Sequence, residues 1–154
     1  MSEQLRLPKT TAHLHALEEL ARNKEPKPPI AKLIGFDLVK IELGIAVFEM
    51  QTGPQHANPM GTMHGGIFCD LGDAAMGMAM ASTLEDDESF TTLDLNAKYF
   101  KPIWTTTLKA EARVTKRTKS LGLIECDITD EKETLVAKLF STCMVLRGGE
   151  AKGR

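Results

Sequence analysis

Residues 64–83 hold only two charged side chains, Asp70 and Asp73, among glycines, alanines, methionines and other small or apolar residues. A run of this kind predicts a helix packed closely on all sides, because no polar stripe is present to face water. Such a helix needs walls, and the rest of the chain supplies strands. Leu108, Ala110, Ala112 and Val114 alternate with Lys109, Glu111, Arg113 and Thr115, the period of a strand with one dry face. Residues 89–100, 121–128 and 134–146 read as three more strands, and 36–43 and 45–50 as a hairpin turning at Gly44. Two strands, one buried helix and four strands predict an α+β fold, a curved antiparallel sheet wrapped around a long central helix. One sheet of this size leaves edges and apolar surface, so pairing of identical copies is expected.

With 154 residues the chain has room for one such domain. The expected division is an N-terminal helix and linker (1–29), the main domain (30–148) and a flexible tail (149–154). In the first part Leu14, Leu17, Leu20 and Ala21 recur at helical spacing behind Thr11 as a cap, and three prolines in residues 24–29 break the helix. The net charge of −2 excludes a broad basic surface for nucleic acid or anionic membrane, so a polyanionic ligand has to meet a local cluster. The longest uncharged, largely apolar run, 74–84, is far short of the roughly 20 residues that span a bilayer. Residues 1–9 lack the apolar stretch of a signal peptide. Cys69, Cys126 and Cys143 form no CxxC pair and read as buried free thiols of a reducing compartment. The expectation is a cytoplasmic protein with neither nucleic acid nor membrane as partner.

The chemistry concentrates around the start of the long helix. Gly65 and Gly66 open it, where backbone N–H groups lack partners within the helix and no side chain blocks a ligand. Together with the positive end of the helix dipole they form a socket for an oxyanion, although a Gly-Gly pair also serves simple close packing. A carboxylate in an apolar helix needs a partner or a task. Asp73 lies eight residues past Gly65, about 12 Å along the axis, too far for one carbonyl to meet both. Two antiparallel helices side by side would bring Asp73 of one chain to Gly65 of another. Asp70 faces a similar direction and competes for the role, or holds a structural hydrogen bond. His64, as a histidine suited to proton transfer, is a candidate base as well as a candidate helix cap, and His56 is a weaker candidate. No histidine pair has metal-ligand spacing, so no metal site is expected. No Ser or Cys stands in a nucleophile elbow.

The run from Asn58 to Asp73, N-P-M-G-T-M-H-G-G-I-F-C-D-L-G-D, resembles the signature of hotdog-fold thioesterases, specifically the phenylacetic-acid-pathway (PaaI-like) branch. A second block, Thr91-Thr92-Leu93-Asp94-Leu95-Asn96-Ala97-Lys98-Tyr99, is similar to that family's strand after the helix, and the likeness covers about residues 36–146. The resemblance implies an acyl-CoA thioesterase in which Asp73 is general base or nucleophile and the Gly65 N–H polarises the carbonyl. It further implies that Asn58 positions water or carbonyl, that Thr92 holds the attacking water, and that two subunits share each site, in a homodimer or homotetramer. Related sequences often carry a small or hydroxyl residue where this chain has Asp70.

The CoA moiety, part of the substrate rather than a cofactor, needs cations for its phosphates. Arg113, Lys116, Arg117 and Lys119 cluster with Thr118 and Ser120 at the turn between two strands, where members of the family often bind phosphates. A solvated basic hairpin looks the same in sequence. Lys98 and Lys101 are further candidates. For the acyl group, aromatic or medium-chain, the apolar residues near Asp73 are Met76, Met80 and Phe68, with Gly66 at the helix opening. Two other readings are a hotdog hydratase or dehydratase and an acyl-CoA-binding domain without turnover.

Overall fold

The computed structural model describes residues 12–23 and 27–152. Thr11 as a helix cap, the character of residues 1–9, part of the proline-rich linker and the last two residues lie outside that range. Helices α1 (Ala12–Asn23) and α2 (Pro29–Ile34) precede the hairpin β1 (Phe36–Glu42) and β2 (Ile45–Gln51). The long helix α3 (Gly65–Ala81) follows, then β3 (Glu88–Tyr99), β4 (Thr107–Arg117), β5 (Leu121–Thr129) and β6 (Leu135–Arg147). The sheet runs β1-β2-β4-β5-β6-β3, every neighbouring pair antiparallel. This is the α+β arrangement expected of the hotdog fold. A 3-10 turn, Gly148–Ala151, stands where the C-terminal tail begins. Among the described residues no helix is long and apolar enough to cross a membrane.

The alternating strands place one row inward. Leu108, Ala110 and Ala112 of β4 are fully buried, as are Cys126 and Ile128 of β5 and Leu139 of β6. Small residues on both partners let α3 approach closely. A Cβ on Gly72 would stand 2.6 Å from Leu139 Cδ2, so a larger residue there would have to displace that buried side chain. Leu71, Ala75, Met76, Ala79 and Met80 form the helix face pressed on the sheet, each at most 1% exposed.

The sequence leads one to expect burial on every side of α3, and the sheet supplies less. It curls around the helix but does not close, leaving β1 and β3 as its edges among the described strands. The face of α3 carrying Asp73, Ala74, Gly77, Met78 and Ala81 looks into the gap between those edges. Leu20 of α1 and Ile30 and Ala31 of α2 lie over that gap.

Both ends of α3 are fastened. His64 sits at φ −63°, ψ 135° as the N-cap, and its Nδ1 accepts the Gly66 N–H at 2.9 Å. At the other end the Ser82 hydroxyl donates to the Ala79 carbonyl and accepts the Gly44 N–H, both at 2.7 Å. Gly44, at φ +72°, makes the β1–β2 turn that delivers this donor.

Candidate active site

The loop before α3 is held by its own side chains. His56 is 5% exposed; its Nδ1 accepts the Gly53 N–H at 3.1 Å, so its Nε2 carries the proton and donates to the Ile34 carbonyl at 2.9 Å. Both nitrogens are engaged in structure, which removes His56 as a base. The His56 carbonyl then accepts the His64 N–H at 2.8 Å, setting where α3 begins. Asn58 Oδ1 accepts the Met60 N–H at 2.9 Å and Nδ2 donates to Thr62 Oγ1 at 2.8 Å. One N–H of that amide remains for a ligand.

Gly65 is the first residue of α3, and Tyr99 of β3 lies against it. The Tyr99 hydroxyl donates to the Gly65 carbonyl at 3.1 Å, and a Cβ on Gly65 would meet the ring at 3.3 Å. The Cys69 thiol stands 3.4 Å from the same hydroxyl, and Phe68 packs edge-on to the ring with centroids 5.6 Å apart. Hydrogen bonding with Cys69, then burial, push the Tyr99 phenol up to about 12, so it stays a donor at any working pH. Cys69, expected to be buried, is only half-buried, unlike Cys126 and Cys143; all three are free thiols.

Two turns along α3, Asp73 stands at the mouth of a cavity of about 570 Å³ that fills the gap between β1 and β3. Thr92 of β3 shares the mouth. A register shift between Thr92 and Asp94 lets Leu93 bulge out, 53% exposed. The bulge is pinned by Asp94, whose Oδ1 accepts the Thr142 N–H at 3.1 Å and whose carbonyl accepts the Ser141 hydroxyl at 2.8 Å. Although Asp73 is open to solvent on one side, apolar walls behind it raise its pKa, and the nearby Asp70 charge raises it further. The nearby Thr92 hydroxyl, whose own side-chain contact is the Cys143 thiol at 4.0 Å, pulls the other way. The cavity wall is otherwise apolar, Phe36, Phe48, Met78 and Phe90 among it, with the Lys27–Asp37 ion pair on one side. Among the described residues no cluster of His, Cys, Asp and Glu side chains is placed to hold a metal ion.

A model described as the thioesterase superfamily matches residues 60–137, about half the chain, from the loop before α3 into β6. The chain belongs to the thioesterase superfamily. Among its relatives, the 1,4-dihydroxy-2-naphthoyl-CoA hydrolase of Listeria monocytogenes is 29% identical over 75% of this chain and 93% of its own. The acyl-coenzyme A thioesterase PaaI of Escherichia coli is 31% identical over 70% of this chain and 75% of its own. The solved structure of the E. coli PaaI protein from the phenylacetic acid degradation operon superposes with a TM-score of 0.77 at 23% identity, covering 92% of this chain and 99% of that one. The protein is therefore an enzyme of the thioesterase class, in the PaaI-like branch.

Other expected site residues of this thioesterase fall in different places. Met76, Met80 and Phe68 belong to the core, at 1%, 0% and 4% exposure, and do not line the cavity; Met78 does. Arg117 turns inward. Its guanidinium, 6% exposed, pairs at 2.6 Å with Glu88, 4% exposed, which Arg147 also contacts. It is therefore committed to Glu88 and not presented to a phosphate. Thr118 Oγ1 accepts the Leu121 N–H at 3.0 Å and the Ser120 N–H at 3.3 Å, closing the β4–β5 turn. Arg113 pairs with Glu111 at 3.4 Å on the surface, and Lys101 with Asp130 at 2.8 Å. Lys119 and Ser120 are exposed on the turn, and Lys116 is half-buried beside them. Nothing in the sequence pairs Tyr99 with Gly65, although the residue stands in the second family-like block. Gly77 and the roof from α1 and α2 likewise carry no local signal.

Proposed function

We propose that this thioesterase hydrolyses aromatic or medium-chain acyl-CoA, with Asp73 as general base or nucleophile and the Gly65 N–H polarising the thioester carbonyl. The observation that carries the reading is an acid with a raised pKa, beside a hydroxyl, at the mouth of an apolar cavity. In the general-base route a water held by Thr92 gives a proton to Asp73 as its oxygen adds to the carbonyl carbon. The resulting oxyanion takes the Gly65 N–H, with Asn58 Nδ2 beside it. Collapse breaks the C–S bond, and the CoA thiolate leaves with the proton held by Asp73. If Asp73 is the nucleophile, an acyl anhydride forms first and water then cleaves it.

Asp73 and Gly65 come from different protomers in this reading, because about 12 Å of helix separates them within one chain. A 12-residue edge strand, β3, exposing Leu93 and Tyr99, supports pairing of two copies across that edge. Lys116 and Lys119, with Arg113, are the cations proposed for the CoA phosphates. His64, already accepting from Gly66, shapes the helix start and leaves the proton transfer to Asp73. A cytoplasmic location fits an enzyme acting on a CoA ester.

The test is free thiol release from a panel of acyl-CoA esters by the full-length protein. Release with aromatic or medium-chain esters, with a clear optimum, is expected. Tight CoA-ester binding without release from any of them would favour a non-catalytic binder instead.

A further inference from the structure

Glycine inside a helix is the least favourable choice after proline, so each one calls for a reason. Helix α3 has four. Gly65 lies under Tyr99, Gly66 under the His64 ring at 3.0 Å, and Gly72 against Leu139 at 2.6 Å. Gly77 is different. Outside its own helix, a Cβ there would meet the Phe90 ring at 3.6 Å and nothing nearer, an ordinary contact. The protein itself therefore has room for a side chain at Gly77, and the space in front of it belongs to the cavity.

Position matters as much as room. Asp73, Gly77 and Ala81 are spaced four apart and stack along one face of the helix, about 6 Å per step. All three line the cavity. Beyond the carboxylate the helix thus offers a floor of small residues about 12 Å long, with Met78 beside it. Phe90 walls it on the β3 side, Phe36 on the β1 side, and Leu20 and Ile30 cover it. A short acyl group would leave that floor empty, whereas a long or ring-bearing one would lie along it and bury apolar surface.

We propose that Gly77 is the specificity-determining residue for acyl size, its missing side chain admitting large apolar acyl groups along α3 beyond Asp73. The proposal rests on the thioesterase reading above and deepens it. Gly77→Ala and Gly77→Leu shorten the floor by one and by several carbon atoms; because a leucine there leans back toward Asp73, the ratio between a long and a short substrate is the readout, not either rate alone.

The experiment compares kcat/KM for decanoyl-CoA and butyryl-CoA in wild type and both variants. A methylene in a well-fitted apolar pocket is worth roughly tenfold or more, so the decanoyl-to-butyryl ratio should fall about tenfold or more in Gly77→Leu, with Gly77→Ala between. A ratio unmoved in both variants, whether or not the two rates fall together, would overturn the proposal. Binding of non-hydrolysable S-decyl-CoA and S-butyl-CoA, read by calorimetry, separates this from the chemistry. If no ester is hydrolysed yet the S-decyl preference is lost in Gly77→Leu, the acyl floor stands and the thioesterase reading fails. If esters are hydrolysed and the variants show no change in either preference, the reverse holds.

Discussion

Asp73 and Thr92 line one largely apolar cavity, the first from the helix at the centre of the fold and the second from a bulged edge strand. The helix supplies a carboxylate whose surroundings make it more basic than an ordinary aspartate. The strand supplies a hydroxyl that steadies the ionised form. The pairing depends on both elements being held, α3 by its packing on the sheet and β3 by the Asp94 contacts to β6.

Asp73→Asn keeps the shape of the side chain and removes its ability to take a proton or attack. Thiol release should fall by at least about 10²-fold, with little change in KM. Steady-state kinetics on the preferred ester, with circular dichroism as a control for folding, provides the check.

The pH profile should carry the signature of the same residue. In the proposed reaction Asp73 acts ionised, so the acid limb of kcat/KM should lie above the ordinary 3.8 of an aspartate. Asp70→Asn removes a like charge that raises the pKa and should move the limb to lower pH. Thr92→Val removes a group that lowers it and should move the limb to higher pH. Shifts in the same direction in both variants would show that the limb belongs to another group.

Stability should respond in the opposite sense to activity. An acid whose folded pKa is raised favours the folded state when protonated, and that contribution is lost as pH rises through the folded pKa. Above that pKa the ionised Asp73 therefore works against folding. Asp73→Asn should melt slightly higher than wild type, a gain that calorimetry at pH 7 would register and that should vanish in acid.

Glu88 is the structural counterpart. Burial pushes its carboxyl up, but the Glu85 N–H and the guanidinium groups of Arg117 and Arg147 together hold it below its ordinary 4.5. Such an acid stabilises the fold above its unfolded pKa, and the contribution is lost as pH falls through the folded one. Glu88→Gln leaves the buried Arg117 charge without its partner and should cost about 3 kcal/mol, or about 6 to 12 °C in Tm for a domain of this size. The gap between variant and wild type should narrow on acidification, as thermal melts across pH would record.

Much of this is legible in the sequence because it depends on short-range periods. The alternation at Leu108 to Val114 marks the buried face of β4, and the uninterrupted apolar run marks α3. The Asn58-to-Asp73 signature points to the carboxylate, the glycine and the family. What stays hidden depends on direction and on distant partners. A run with no polar stripe cannot say which methionine faces the sheet, so Met76 looks as suitable for the acyl group as Met78. Arg117 reads as one more surface cation until Glu88, 29 residues away, is seen beside it. The gap between β1 and β3 belongs to the curvature of the whole sheet, so neither the cavity nor the use of Gly77 leaves a local trace.

The central claim is that Gly65 and Asp73 act on one thioester from two different chains. Gly65→Pro removes the N–H at the first helical position, which favours proline, and His64 already has the extended backbone that a following proline requires. The Tyr99 ring, 3.3 Å from a Cβ placed there, has only to give by a few tenths of an ångström. Each of Gly65→Pro and Asp73→Asn should be nearly inactive alone. When the two variants are unfolded together and refolded as a mixture, hybrid dimers should contain one intact site, and thiol release should rise far above that of either variant. Activity that stays at the sum of the two separate variants, in a mixture shown to contain hybrids, would contradict a shared site.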